Sequence, residues 1–163
     1  MKKLFCSIVC SLVCIMARAQ MDPVYQNSAY LEFAGSGLLL SANYERILTL
    51  KPMFTLRAGL GIYPSDPVRP TIPVSFGYLL PLKHNEQFVE LAAGLTYTKA
   101  DVWLYQQKDT TSVHKKVNPF IFIPSLSYRV HARNGSIFKF SITPVFSQHG
   151  CIPYFGVSYG KMF

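Results

Sequence analysis

Bulky apolar side chains fall at every second position along most of this chain, and a period of two predicts β-strands rather than helices. Eight segments carry the pattern, each bounded by turn residues: 28–36, 38–48, 53–63, 71–82, 87–99, 118–132, 136–147 and 151–163. In 136–147, Phe138, Phe140, Ile142, Pro144 and Phe146 share one face, opposite Lys139, Ser141 and Thr143. In 118–132, Phe120, Phe122, Pro124, Leu126, Tyr128 and Val130 oppose Ser125, Ser127, Arg129 and His131. Segment 71–82 sets Ile72, Val74, Phe76, Tyr78 and Leu80 against Pro73, Ser75 and Gly77. Segment 53–63 sets Phe54, Leu56, Ala58, Leu60 and Ile62 against Thr55, Arg57, Gly59 and Gly61. In 87–99 the apolar face is Val89, Leu91, Ala93, Leu95 and Tyr97, and in 151–163 it is Phe155, Val157, Tyr159 and Phe163. The first two segments are weaker but fit, with Leu31 and Phe33 against Glu32, and Leu40, Ala42 and Tyr44 against Ser41, Asn43 and Glu45.

The two faces differ in what they can pack against. One is a nearly unbroken band of large apolar groups, too wide for eight strands to enclose. The other is rich in Gly, Ala, Ser and Thr, which suit a narrow interior, and carries charges of both signs. The expected fold is therefore all-β, an eight-stranded antiparallel up-and-down transmembrane barrel with its bulky face toward lipid. Such a barrel has an interior just wide enough for side chains. The inward Glu32, Glu45 and Glu90 are then expected to interlock with Arg57, Arg129 and Lys139, because an unpaired buried charge costs several kcal/mol. His131 is expected as a hydrogen-bonded filler. Pro73, Pro124, Pro144 and Pro153 each forfeit a ladder bond and are expected to mark bulges or membrane rims.

The connections alternate in length. Those at 35–37, 64–70, 100–117 and 148–150 are expected as loops at one end, the outer one, and those at 49–52, 83–86 and 133–135 as short periplasmic turns. Asn134-Gly135 is a strong tight-turn signal.

The chain opens with Lys2 and Lys3, an apolar run from Leu4 to Met16, and Ala17-Arg18-Ala19 before Gln20. This is the pattern of a secretory signal peptide, expected to be removed as residues 1–19 and to leave one domain over 20–163. The run is too short for a membrane-spanning helix, and no later segment supplies one. Cys6, Cys10 and Cys14 leave with the leader, so Cys151 stays as an unpaired thiol. The formal net charge is +8, and Lys2, Lys3 and Arg18 belong to the leader, which leaves +5. The remaining basic residues are scattered, so no nucleic-acid footprint exists. Sparse charge, 15%, beside 14% aromatic residues suits a surface that meets lipid.

With these features the chain resembles the small eight-stranded outer-membrane barrels of Gram-negative bacteria, the OmpA/OmpX-type architecture. The likeness rests on the leader, the alternating strands and the closing Tyr159-Gly160-Lys161-Met162-Phe163. It implies an outer-membrane location and contact with outer-membrane lipid and lipopolysaccharide. It also implies that the aromatic residues Phe155, Tyr159 and Phe163 serve as the signal read by the barrel-assembly machinery. Function among such barrels is diverse, so the resemblance selects no single activity.

Candidate chemistry is thin. Asp66, Asp101, Asp109, His114, Ser147 and His149 lie near the outer end, but no spacing joins a nucleophile to a base and an orienting acid, and no enzyme activity is expected. His84, His114, His131 and His149 fall on separate elements, so no metal site and no cofactor is expected. The loop 100–117 holds Trp103, Tyr105, Lys108, Lys115 and Lys116. Its cations suit lipopolysaccharide phosphates and its aromatics suit a surface partner, although a solvated hairpin extension accounts for both. The sequence thus favours a non-catalytic barrel with a charge-paired interior and a structural or surface-interaction role. The alternatives are a narrow transport or binding barrel and a soluble secreted lipocalin-like barrel.

Overall fold

In a computed structural model, residues 26–49, 53–82, 86–99, 119–132, 134–147 and 150–163 are described. The expected leader and the loop 100–117 lie outside them. The strands are β1 (Asn27–Ala34), β2 (Leu40–Ile47), β3 (Met53–Tyr63), β4 (Arg69–Pro81), β5 (Gln87–Thr98), β6 (Phe120–His131), β7 (Ser136–Ile142), β8 (Val145–Ser147), β9 (Gly150–Ile152) and β10 (Phe155–Met162). All pairings are antiparallel, from β1 through to β7, then β7 to β10 and β10 back to β1. The sheet is therefore closed. Reciprocal backbone bonds between Asn27 and Phe163, 2.9 and 3.1 Å, seal the junction of β1 and β10.

The ten segments are eight barrel strands. Leu126 pairs with Ile142 on β7 and Phe122 with Phe146 on β8. The register is unchanged between those pairs, so β7 and β8 are one strand interrupted at Thr143 and Pro144. Likewise Phe155 pairs with Ile142 and Ile152 with Val145 in one register, so β9 and β10 are one strand interrupted at Pro153 and Tyr154. The expected strands 136–147 and 151–163 are thus each divided by a proline that cannot donate to the ladder. The prolines do not insert bulges; each interrupts the ladder in an unchanged register. At Pro73 the β3–β4 pairing lapses between Ala58–Val74 and Gly61–Thr71 and resumes in the same register.

The faces point as the alternation requires. Leu31, Phe33, Leu60, Leu95, Phe122, Phe140 and Tyr159 are among a belt of exposed large apolar groups, while the alternate positions are buried. A band of this extent exceeds what water-soluble monomers expose, which weighs against the soluble lipocalin-like alternative. Ring pairs stitch neighbouring strands on the outside, including Tyr97 with Phe120 at 5.4 Å and Phe54 with Phe76 at 5.3 Å. Among the described residues no helix is long and apolar enough to cross a membrane. The Asn134-Gly135 turn forms as its sequence demands. Gly135 takes φ 79°, and the Ser136 amide donates to Asn134 Oδ1 at 2.9 Å.

The interior is layered along the barrel axis, which alternation alone did not reveal. At the end remote from Asn27 and Phe163, Leu38, Tyr63, Ile121, Ile123 and Val145 form an apolar cluster. At the Asn27–Phe163 end two further clusters lie inside the wall, Tyr30 with Ile137 and Met162, and Ile47 with Leu79 and Phe88. Ionic and hydroxylated side chains occupy the space between. The inward rows end in large apolar residues, where side chains need no polar partner.

Candidate functional site: the charge-paired interior

Each of the six inward charges comes from a different strand or register position, and closure of the sheet brings them together. Glu32, Glu45, Arg57, Glu90, Arg129 and Lys139 are all buried, none more than 2% exposed. They pair across the interior. Lys139 Nζ lies 2.8 Å from Glu90 Oε1, and Arg129 Nη1 lies 3.4 Å from Glu90 Oε2. The same Arg129 nitrogen also pairs with Glu45 Oε1. Arg57 Nη1 lies 3.4 Å from Glu32 Oε1. Three carboxylates thus meet three cations, so the group is electrically balanced and each charge has a partner of opposite sign.

Neutral groups extend the network. Tyr30 donates from its hydroxyl to Glu45 Oε2 at 3.2 Å, and Arg57 Nε donates to Ser75 Oγ at 2.8 Å. Lys139 Nζ sits 5.7 Å from the centre of the Tyr30 ring, close enough for a cation–π contact. Arg129 Nε donates to His131 Nε2 at 2.6 Å, and the His131 ring lies 4.6 Å from Phe88. His131 is therefore a hydrogen-bonded member of the packing, not an isolated histidine.

The 35–37 connection lies at its expected end of the barrel but folds inward. It forms a 3₁₀ turn, Gly35–Gly37, whose residues and Leu38 are buried. Glu32 explains the inward course. Its Oε2 accepts from Ser36 Oγ at 2.9 Å, from Ser41 Oγ at 3.3 Å and from the Gly37 amide at 3.4 Å. Two distant strands clasp the turn from the far wall: Thr71 Oγ1 donates to the Gly37 carbonyl at 2.9 Å and Thr96 Oγ1 to the Ser36 carbonyl at 2.8 Å. Tyr154 donates its hydroxyl to the Leu38 carbonyl. The turn needs unusual backbone angles, with φ 60° at Ala34, 75° at Gly35 and 77° at Leu38. For Ala and Leu such angles cost about 1–3 kcal/mol each and persist only where surroundings fix them. Gly156 makes room, because a Cβ there would lie 2.8 Å from the Gly35 Cα.

Sequence reasoning placed the six charges on the inner face but missed the residues that hold this turn. Ser36, Thr71 and Thr96 are ordinary small polar residues in the alternation, and only the Gly-Ser-Gly composition of the turn hinted at an atypical backbone. Asn43 Oδ1, Ser125 Oγ and Ser158 Oγ are buried without a hydrogen-bond partner among the described residues.

The remaining sequence-derived candidates are more scattered. Phe155, Tyr159 and Phe163 lie on the outer face, 53%, 64% and 59% exposed. Phe163 is bonded through its backbone to Asn27, and its ring lies 6.4 Å from Tyr44. Trp103, Tyr105, Lys108, Lys115 and Lys116 lie outside the described residues, as do Asp101, Asp109, His84, His114 and His149. Cys151 is exposed on β9.

Neither a family model nor a curated protein matches the chain. Among solved structures, the barrel is similar to the outer membrane protein Ail of Yersinia pestis in a phospholipid bilayer nanodisc. The match has a TM-score of 0.55 and 9% identity and covers 86% of this chain and 100% of Ail. At that identity the likeness is one of fold: this chain has the architecture of an eight-stranded outer-membrane β-barrel. The subfamily is not identified by the match.

Proposed function

We propose that this chain is an integral protein of the Gram-negative outer membrane with a sealed interior and a structural or surface-interaction role, without catalysis. On this view residues 1–19 direct export and are cleaved after Ala19. The barrel-assembly machinery then reads the terminal aromatics Phe155, Tyr159 and Phe163. The observation that carries the proposal is the interior itself. Its charges are mutually paired and buried, apolar clusters lie at both ends, and a turn clasped by Thr71 and Thr96 occupies the axis. A solute path would need hydrated charged groups along its length, and here the six charged groups are engaged with one another. The functional surface then falls to the loop end, where Trp103, Tyr105, Lys108, Lys115 and Lys116 would meet lipopolysaccharide or a surface partner.

Conductance of the purified barrel in planar lipid bilayers tests the sealed interior. No discrete channel events are expected, and reproducible events would replace this proposal with a transport barrel. Membrane fractionation tests the location: the protein should leave the envelope only with detergent, and release in aqueous buffer would overturn the assignment.

A further inference from the structure

The outer wall is not uniformly rough. Large side chains form two ridges that run across the strands. One is Leu91, Leu126 and Ile142, adjacent residues on β5, β6 and β7; the other is Leu95, Phe122 and Phe146. These residues are 41–52% exposed. Between the ridges lies one row of short or flat side chains. Ala93 pairs with Pro124 on β6, and the continuous register places Pro144 opposite Pro124. Phe76, paired with Ala93, closes the row at β4. The result is an apolar trench of about 590 Å³ along Ala93, Pro124 and Pro144, walled by the Leu91, Leu126 and Ile142 ridge together with Phe76.

The prolines also loosen the wall beneath the trench. Neither Pro124 nor Pro144 has an N–H to give the other, and the ladder between β6 and the next strand lapses from Phe122–Phe146 to Leu126–Ile142. The rigid rings cannot extend outward to fill the gap they leave. In hydrocarbon an unfilled groove forfeits dispersion contacts along its whole lining. An apolar cavity of ~150 Å³ already holds a benzene-sized guest, so this trench has room for a considerably longer chain.

We propose that the trench is a seat for one hydrocarbon tail of a membrane lipid. This rests on the outer-membrane assignment above. The occupant follows from the position and shape of the site. The trench lies midway along β5 and β6, inside the apolar belt, where hydrocarbon is the surrounding medium. Barrel strands tilt by about 35–45°, so a row perpendicular to them runs obliquely to the membrane normal, a course a flexible tail can follow. A second barrel presents a convex wall, which meets the ridges but does not reach the floor at Ala93 and Pro124.

The test is photolabelling of the full barrel in phosphatidylethanolamine–phosphatidylglycerol vesicles doped with a phospholipid carrying a diazirine on its acyl chain, with adducts mapped by mass spectrometry. Adducts are expected several-fold enriched on Leu91, Ala93, Leu126 and Ile142 over Leu31 and Ala42 on the opposite wall. Ala93→Phe, which fills the trench from its floor, should remove the enrichment while leaving the heat-dependent gel mobility of a folded barrel; Ala93→Val should reduce it in part. Even labelling around the belt overturns the proposal. So does enrichment that both variants leave unchanged, and so do barrel-to-barrel cross-links at the trench, which would name a second copy as the occupant. A chain that does not enter vesicles overturns the membrane assignment along with it, whereas an embedded chain with even labelling overturns the lipid seat alone.

Discussion

Lys139 and Glu90 meet at 2.8 Å although their strands, β7 and β5, are separated by the whole width of β6. Both side chains point inward, so the contact crosses β6 on the concave side of the wall. Glu90 also receives Arg129 at 3.4 Å, and Arg129 in turn holds Glu45. Removing one partner of a buried pair leaves a charge that neither water nor protein can fully compensate. Lys139→Met should therefore lower the unfolding free energy in lipid vesicles by about 3 kcal/mol. Adding Glu90→Gln should recover part of that loss, because Arg129 keeps Glu45 and the network stays balanced. Urea titration of both single variants and the double variant measures the coupling; strictly additive losses would show that the pair is not energetically linked.

Leu95 and Thr96 are neighbours on β5 with opposite fates, one exposed and one buried. Leu95→Arg, and equally Phe140→Arg, should cost roughly 2–4 kcal/mol if these positions face the bilayer midplane. Thr96→Ser keeps the hydroxyl that donates to the Ser36 carbonyl and should stay within about 0.5 kcal/mol of the parent. Equal sensitivity of the two positions in the same vesicle assay would contradict the facing.

The inward turn stores backbone strain that substitutions can release or increase. Ala34 has φ 60° and ψ −152°, a region open mainly to glycine. Ala34→Gly should raise stability by about 1 kcal/mol. Gly35→Ala should do the reverse by a similar or larger amount, since its φ of 75° disfavours a side chain and a Cβ would lie 2.7 Å from Glu32 Oε1. Unfolding midpoints of the two variants should move in opposite directions.

A substitution at Phe163 distinguishes an assembly role from a stability role. Its side chain is exposed, while its backbone bonds to Asn27 persist in any residue. Phe163→Ala should refold in detergent with stability within about 1 kcal/mol of the parent but accumulate poorly in the outer membrane of growing cells. Comparable loss in both settings would make the residue a structural contact and not a recognition signal.

Much of this molecule was legible one residue at a time. A strand's side chains alternate with a period fixed by its own backbone, so Phe138, Phe140 and Leu95 were assignable to the outer face, and Lys139, Arg57 and Glu90 to the inner one, without knowledge of any neighbour. Asn134-Gly135 named its own turn because glycine supplies the positive φ locally. Closure and register are different in kind, since they relate residues far apart in the chain. Only they decide that Lys139 meets Glu90, and that Thr71 and Thr96 reach across to hold Ser36 and Gly37. They alone align Pro124 with Pro144 to leave a trench between two apolar ridges. The apolar residues at both ends of the interior, such as Ile123 and Phe88, were hidden for the same reason: alternation gives a residue's side of the wall, whereas its depth along the axis follows from how the strands are staggered.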